Sequence, residues 1–192
     1  LGDLNPDVRS VVAYNTDSKV INTVRSNGVL LANVVPKGGL LSGSSSVMQL
    51  DAWNWEDAVY QMDNGIHFRM PQLIPYSSDN TESDLLKKAY EQIEDVRNFF
   101  RDAKAYFNEG SHTERNIKIE SVKGLFDHTQ TFFVHCNLVN EMMIAVEFAK
   151  EFDFRTVIVG GAESNKITDY LKQNNIAVIL GEPHILPIMQ DD

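Results

Sequence analysis

Few features of this chain are of the kind that assign a protein at once. One cysteine, Cys136, stands in 192 residues; this excludes an internal disulfide and leaves the compartment open. No apolar run approaches the roughly 18 residues needed to span a bilayer, and no signal peptide opens the chain. The first residue is Leu1 rather than Met, so we expect the native start to lie upstream. Positive charge is scarce. The 17 Lys and Arg face 27 Asp and Glu, a formal charge of -10, and the resulting negative field disfavours nucleic acid and anionic membranes as partners. Internal repeats and low-complexity tracts are absent. Neither GxGxxG nor GxxxxGK(S/T) occurs, which argues against a nucleotide site.

What is present is ordinary globular material, 43% hydrophobic and 23% charged, enough for one domain over residues 1–192 with a proper core. Three apolar runs in the last third each end in polar residues: Phe132-Phe133-Val134 into His135, Val157-Ile158-Val159 into Gly160-Gly161-Ala162-Glu163, and Ile176 to Leu180 into Gly181-Glu182-Pro183-His184. Amphipathic helical patterns follow the first two, so a β-α-β-α-β unit is expected. In parallel α/β folds chemistry sits at the carboxyl ends of strands, which would direct His135, Glu163 and His184 toward one pocket.

Upstream, Asp17 and Ser18 offer N-caps for a helix through Ser26, with Asn27-Gly28 as its left-handed stop. Val29 to Val35 is a continuous apolar run, the pattern of a strand buried on both faces. The stretch Gly39 to Ser46 reads as a flexible loop over the pocket, with Trp53 and Trp55 packing it down and its amides offering an anion nest as a lesser reading. Asn54 can cap a short helix through Gln61. The spacing of Leu85, Leu86, Ala89, Tyr90, Ile93, Val96, Phe99, Phe100, Ala103 and Phe107 predicts a helix from Glu82 to Phe107, and Ile117 to Leu125 predicts another. Strands are thus expected at 29–35, 66–70, 131–135, 155–159 and 176–180, alternating with helices, either as an open doubly wound sheet or as part of a barrel.

The stretches Ala13-Tyr14-Asn15-Thr16-Asp17-Ser18, Thr23 to Gly28, Lys37-Gly38-Gly39 and Ser42-Gly43-Ser44-Ser45-Ser46-Val47-Met48-Gln49-Leu50-Asp51-Ala52-Trp53-Asn54-Trp55-Glu56-Asp57 resemble the amidohydrolase superfamily, in its imidazolonepropionase-related branch. His135 before an Asn140-to-Lys150 helix, Gly160-Gly161-Ala162-Glu163 before Lys166-Ile167-Thr168-Asp169, and His184 to Pro187 follow in the family's order. The resemblance implies an α/β, (β/α)8 TIM-barrel-like fold, here partial, with parallel strands two to seven. It also implies hydrolysis of a C–N bond in a cyclic or linear amide, a small-molecule substrate, and a divalent metal, zinc by preference. That metal is held by a His-x-His pair on the first strand, a histidine on the fifth and often one on the sixth. It lowers the pKa of bound water from about 15.7 to near 7.

Set against this chemistry, the chain is incomplete. His-x-His is absent. His135 matches the fifth-strand ligand, Asn137 stands where a second histidine is common, and the sixth-strand histidine falls at Gly160. A single ligand cannot hold zinc tightly. We therefore expect metal to be absent or weakly bound and the chain not to hydrolyse amides by itself. The alternative is a non-catalytic domain that binds a small molecule or a partner through the barrel mouth, and a third reading is an independent α/β domain binding an anion at the Gly39 loop. The expected pocket residues are Asn137, Glu163, His184, Gly38, Gly39 and Ser42. His67 reads as a core or surface residue and Cys136 as a small buried apolar one. A barrel lacking its first and last strands has open edges, so self-association is expected to cover them.

Overall fold

The computed structural model describes residues 2–73, 82–110 and 114–181. Six strands form a single sheet in the sequential order β1 to β6. Helix α1 (Lys19–Ser26) begins after Ser18 and stops at Asn27-Gly28, where Gly28 takes φ +85°. Strand β1 (Leu31–Val34) is shorter than the apolar run and lies at the sheet's edge, half-exposed rather than buried on both faces. Helix α2 (Trp55–Ala58) is capped by Asn54, whose side chain accepts the Asp57 N–H at 2.8 Å. It ends well before Gln61, because Val59 opens the long strand β3 (Val59–Arg69).

The segment expected to be a flexible loop is instead strand β2 (Leu41–Gln49), and residues 41–46 are buried. It pairs antiparallel with both β1 and β3, so the first half of the sheet is not parallel. Its serines belong there because their hydroxyls are consumed locally. Ser44 donates to Asp63 at 2.7 Å, Ser45 donates to Asn64 at 2.7 Å, and Ser46 accepts the Asp63 N–H at 3.0 Å. Small side chains also let the N-terminal segment lie against the strand, through bridges Leu4 to Leu41 and Arg9 to Ser44. Gly43 is required by this approach: it takes φ +107°, and a Cβ would meet the Val8 carbonyl oxygen at 2.2 Å. Trp53 packs nothing down; it is 94% exposed.

The second half is the expected parallel unit. Strands β4 (Thr131–Cys136), β5 (Thr156–Gly160) and β6 (Ala177–Leu180) follow β3 in parallel register. Helix α3 (Glu82–Glu109) buries Ala89, Ile93, Val96, Phe100 and Ala103, a stripe at alternating spacings of four and three. The helical region at 117–125 is two short pieces, α4 (Ile117–Glu120) and α5 (Lys123–Phe126). Helix α6 (Val139–Phe152) buries Met142, Ala145, Val146, Phe148 and Phe152, and α7 (Thr168–Gln173) leads to β6.

These helices share one core with Ile66, Phe68, Phe132, Val134 and Ile158 of the strands. Six phenylalanines dominate it. Phe100 meets Phe132 edge-on with centroids 5.4 Å apart and Phe154 at 5.1 Å, the arrangement ring quadrupoles favour. Residues alternate across a strand, so Gly65, His67, Arg69, Phe133, His135, Val157 and Val159 fall on the opposite face.

Candidate functional site

That second face carries the sheet's polar side chains at the carboxyl ends of β3 and β4. In the parallel register Arg69 pairs with His135 and His67 with Phe133. The His67 ring stacks on Phe133, with centroids 4.7 Å apart and planes 11° apart. Its Nδ1 lies 2.8 Å from His135 Nε2. One of the two nitrogens must keep its lone pair for that hydrogen bond to exist, so the two rings cannot both be protonated. His67 is 1% exposed, and its Nε2 has no hydrogen-bond partner. Burial pushes His67 down to about 3, with the nearby His135 and Arg69 adding to the effect. Burial and the Arg69 charge push His135 down to about 4. Both imidazoles are therefore neutral at pH 7.

The residues expected at the pocket divide among several tasks. Glu163 faces the start of α6: it accepts the Val139 N–H at 2.9 Å and pairs with Lys166 at 2.5 Å, and these contacts hold its carboxyl below the usual range. The favourable charge at a helix N-terminus accounts for this position. Ser42 is buried and donates to the His67 carbonyl at 3.4 Å. Gly38 and Gly39 form the left-handed turn before β2, with φ +112° and +69°. The next residue, Leu40, accepts the Arg69 N–H at 2.8 Å, which brings that turn to the carboxyl end of β3. His184 lies outside the described residues. Cys136 is 4% exposed, and burial with the Glu141 charge pushes its thiol up to about 12. It faces the helices and packs as an apolar residue.

Asn137 and Gly160 are locked together. Gly160 takes φ +108°, and a Cβ there would lie 2.5 Å from Asn137 Oδ1 and 2.9 Å from the Cys136 carbonyl oxygen. The Gly161 N–H donates to Cys136 O at 2.8 Å and the Glu163 N–H to Asn137 O at 3.0 Å. The backbone at the end of β5 therefore folds over the end of β4, in a conformation that favours glycine.

Zinc takes about four ligands at roughly 2.0–2.3 Å. Among the described residues, no group of three His, Cys, Asp or Glu side chains could hold a metal ion. The buried pair His67 and His135 is hydrogen-bonded to itself at 2.8 Å; two nitrogens on one tetrahedral zinc stand about 3.3 Å apart. These residues do not fit the metal that the sequence resemblance implies. A separate open hollow of about 660 Å³ lies at the other end of the strands, lined by Arg9, Asp63, Lys123 and Gln130 among others. Arg9 there pairs with Asp63, and the hollow lies away from the carboxyl ends of the parallel strands, so the histidine face is the better candidate.

His67 is the residue that sequence reasoning undervalued. A signal was available: in Gly65-Ile66-His67-Phe68-Arg69 the polar residues alternate with core ones, which aims His67 and Arg69 at the same side.

A sheet with helices on one face and polar strand ends on the other is an α/β architecture consistent with part of a barrel. No family model matches the sequence, and no curated protein matches it. Among solved structures, it is similar to an amidohydrolase from Thermotoga maritima MSB8, with a TM-score of 0.84 and 18% identity. The match covers 98% of this chain and 51% of that one, so the chain spans about half the length of that amidohydrolase. At this identity the likeness is one of fold.

Proposed function

We propose that this chain forms the central strands of an amidohydrolase-superfamily barrel, akin to the imidazolonepropionase-related branch, and serves as a metal-free wall for binding a small molecule. The observation that carries this reading is the locked pair Asn137–Gly160. These are the two positions where the resemblance calls for further histidines, and the backbone there leaves no room for a side chain on Gly160. His135, the remaining position, spends its Nε2 on His67. A metal-activated hydroxide has no ligand set in this stretch, and the chain alone does not hydrolyse amides.

A second reading is hydrolysis of a cyclic or linear amide by a complete barrel, with ligands supplied from outside these residues. The fold likeness to a chain about twice as long favours it. Metal content separates the two. Purified chain incubated with one equivalent of zinc and passed through gel filtration should retain far less than one zinc by mass spectrometry. One tightly held zinc per chain would overturn the metal-free reading.

A further inference from the structure

The charge on the histidine face suggests what it binds, given the metal-free reading above. Arg69 is half-buried on that face, directly beside His135 in the β3–β4 register. Among the described residues its guanidinium has no hydrogen-bond or ion-pair partner, although the chain carries ten more acids than bases. Phe133, Val157 and Val159 lie on the same face by strand register, and among the described residues no carboxylate bonds to Arg69. A partly desolvated guanidinium with no partner among the described residues is costly unless a counter-ion arrives, and its planar fork matches a carboxylate.

The histidine pair gives this site a direction. A buried N–H left without an acceptor costs more than a lone pair left idle. The unpartnered His67 Nε2 is therefore the lone pair, and the proton sits on Nδ1, donating to His135 Nε2. With its Nε2 accepting, neutral His135 must carry its own proton on Nδ1. That N–H has no partner among the described residues and sits on the less buried ring. His67 is thus a positioning residue: it fixes the tautomer that makes His135 Nδ1 a donor.

We infer that Arg69 and His135 bind the carboxylate of a small organic acid, the guanidinium as counter-ion and the His135 Nδ1–H as a second donor. The apolar strip of Phe133, Val157 and Val159 fits the hydrocarbon part of such a ligand. Sodium acetate is the probe, with acetamide as its neutral counterpart, both at pH 7.5 and constant ionic strength with a chelator present. Histidine 15N spectra should show Nδ1–H tautomers for both residues, and a saturable shift at His135 with acetate but not with acetamide. Arg69→Gln should weaken acetate at least tenfold, and Arg69→Lys should restore part of it. No response to acetate, an equal response to acetamide, or undiminished binding in Arg69→Gln would overturn the site. The wild-type comparison holds even if the variants fold poorly. Zinc measured on the same preparation before the chelator is added tests the metal-free reading separately. A zinc-free protein that ignores acetate loses only the carboxylate site.

Discussion

His67 and His135 meet because of a register, and register is a property of two strands rather than of a local motif. Nothing within a few residues of His67 announces that Phe133 will lie under its ring or that His135 will reach its Nδ1. Period-two alternation in β3 assigns a face; only the pairing of β3 with β4 assigns a partner. Cys136 was legible for the opposite reason. It belongs to an apolar run, and burial settles its behaviour whichever neighbours it meets. The histidine pair also makes a stability claim. Both folded pKa values, about 3 and about 4, lie below the ordinary 6.5. The unfolded chain thus binds more protons in that window. Their contribution is fully present above about pH 6.5 and is lost as pH falls through the folded values. Arg69 faces both rings, and the β5 neighbours Val157 and Val159 carry no titratable group. Urea unfolding between pH 4 and 6.5 should lose stability with falling pH more steeply in the wild type than in His135→Gln. The difference should be at most about 1.4 kcal/mol per pH unit, since His135 is partly solvated. Parallel pH profiles for the two proteins would sink the assignment.

Among elements, those built from one amphipathic period were readable and those built from cross-chain hydrogen bonds were not. The α3 stripe of Ala89, Ile93, Val96, Phe100 and Ala103 is visible in the sequence because helix period and burial coincide. Strand β2 is invisible by the same criterion. Its serines and Gly43 resemble a loop, and what makes them a strand is Asp63, Asn64 and the N-terminal segment beside them. The end of β5 is a third case. Gly160 was legible as a missing side chain, but its left-handed backbone was not. Gly160→Ala should cost about 1–3 kcal/mol, from the strained φ and the contact with Asn137. Asn137→Ala in the same chain should recover the contact portion and leave the strain. We expect a lower urea midpoint at unchanged m-value for the single variant, partly restored in the double. A Gly160→Ala protein as stable as the wild type would show that this turn is not the constraint described, and the argument against a sixth-strand ligand would fall with it.

For the whole molecule, the decisive feature is that α3, α6 and α7 share a single core on one face of the sheet. The expectation of strict strand–helix alternation held from β3 onward and failed before it, because β1, β2 and β3 are antiparallel neighbours joined by the Pro36–Gly39 turn and α2. The alternation rule reads helices between strands, and α2 is a single turn that does not cover the sheet. Both sheet edges end in exposed apolar residues: Leu30 and Leu31 by β1, at 71% and 44% exposure, and Ile179 and Leu180 on β6, at 52% and 67%. Sheet edges with exposed apolar side chains of this kind favour association. We therefore expect this chain on its own to self-associate through the β6 edge. Light scattering across a concentration series should give a mass above the monomer that rises with concentration. Ile179→Lys with Leu180→Glu should return it toward 21.7 kDa without changing the far-ultraviolet dichroism. Both substitutions lie at the last residues of β6, so they alter an exposed edge and leave the Phe100 core intact. A wild-type chain that stays monodisperse and monomeric would mean that the edges are capped within the chain, and the partial-barrel reading would have to be abandoned.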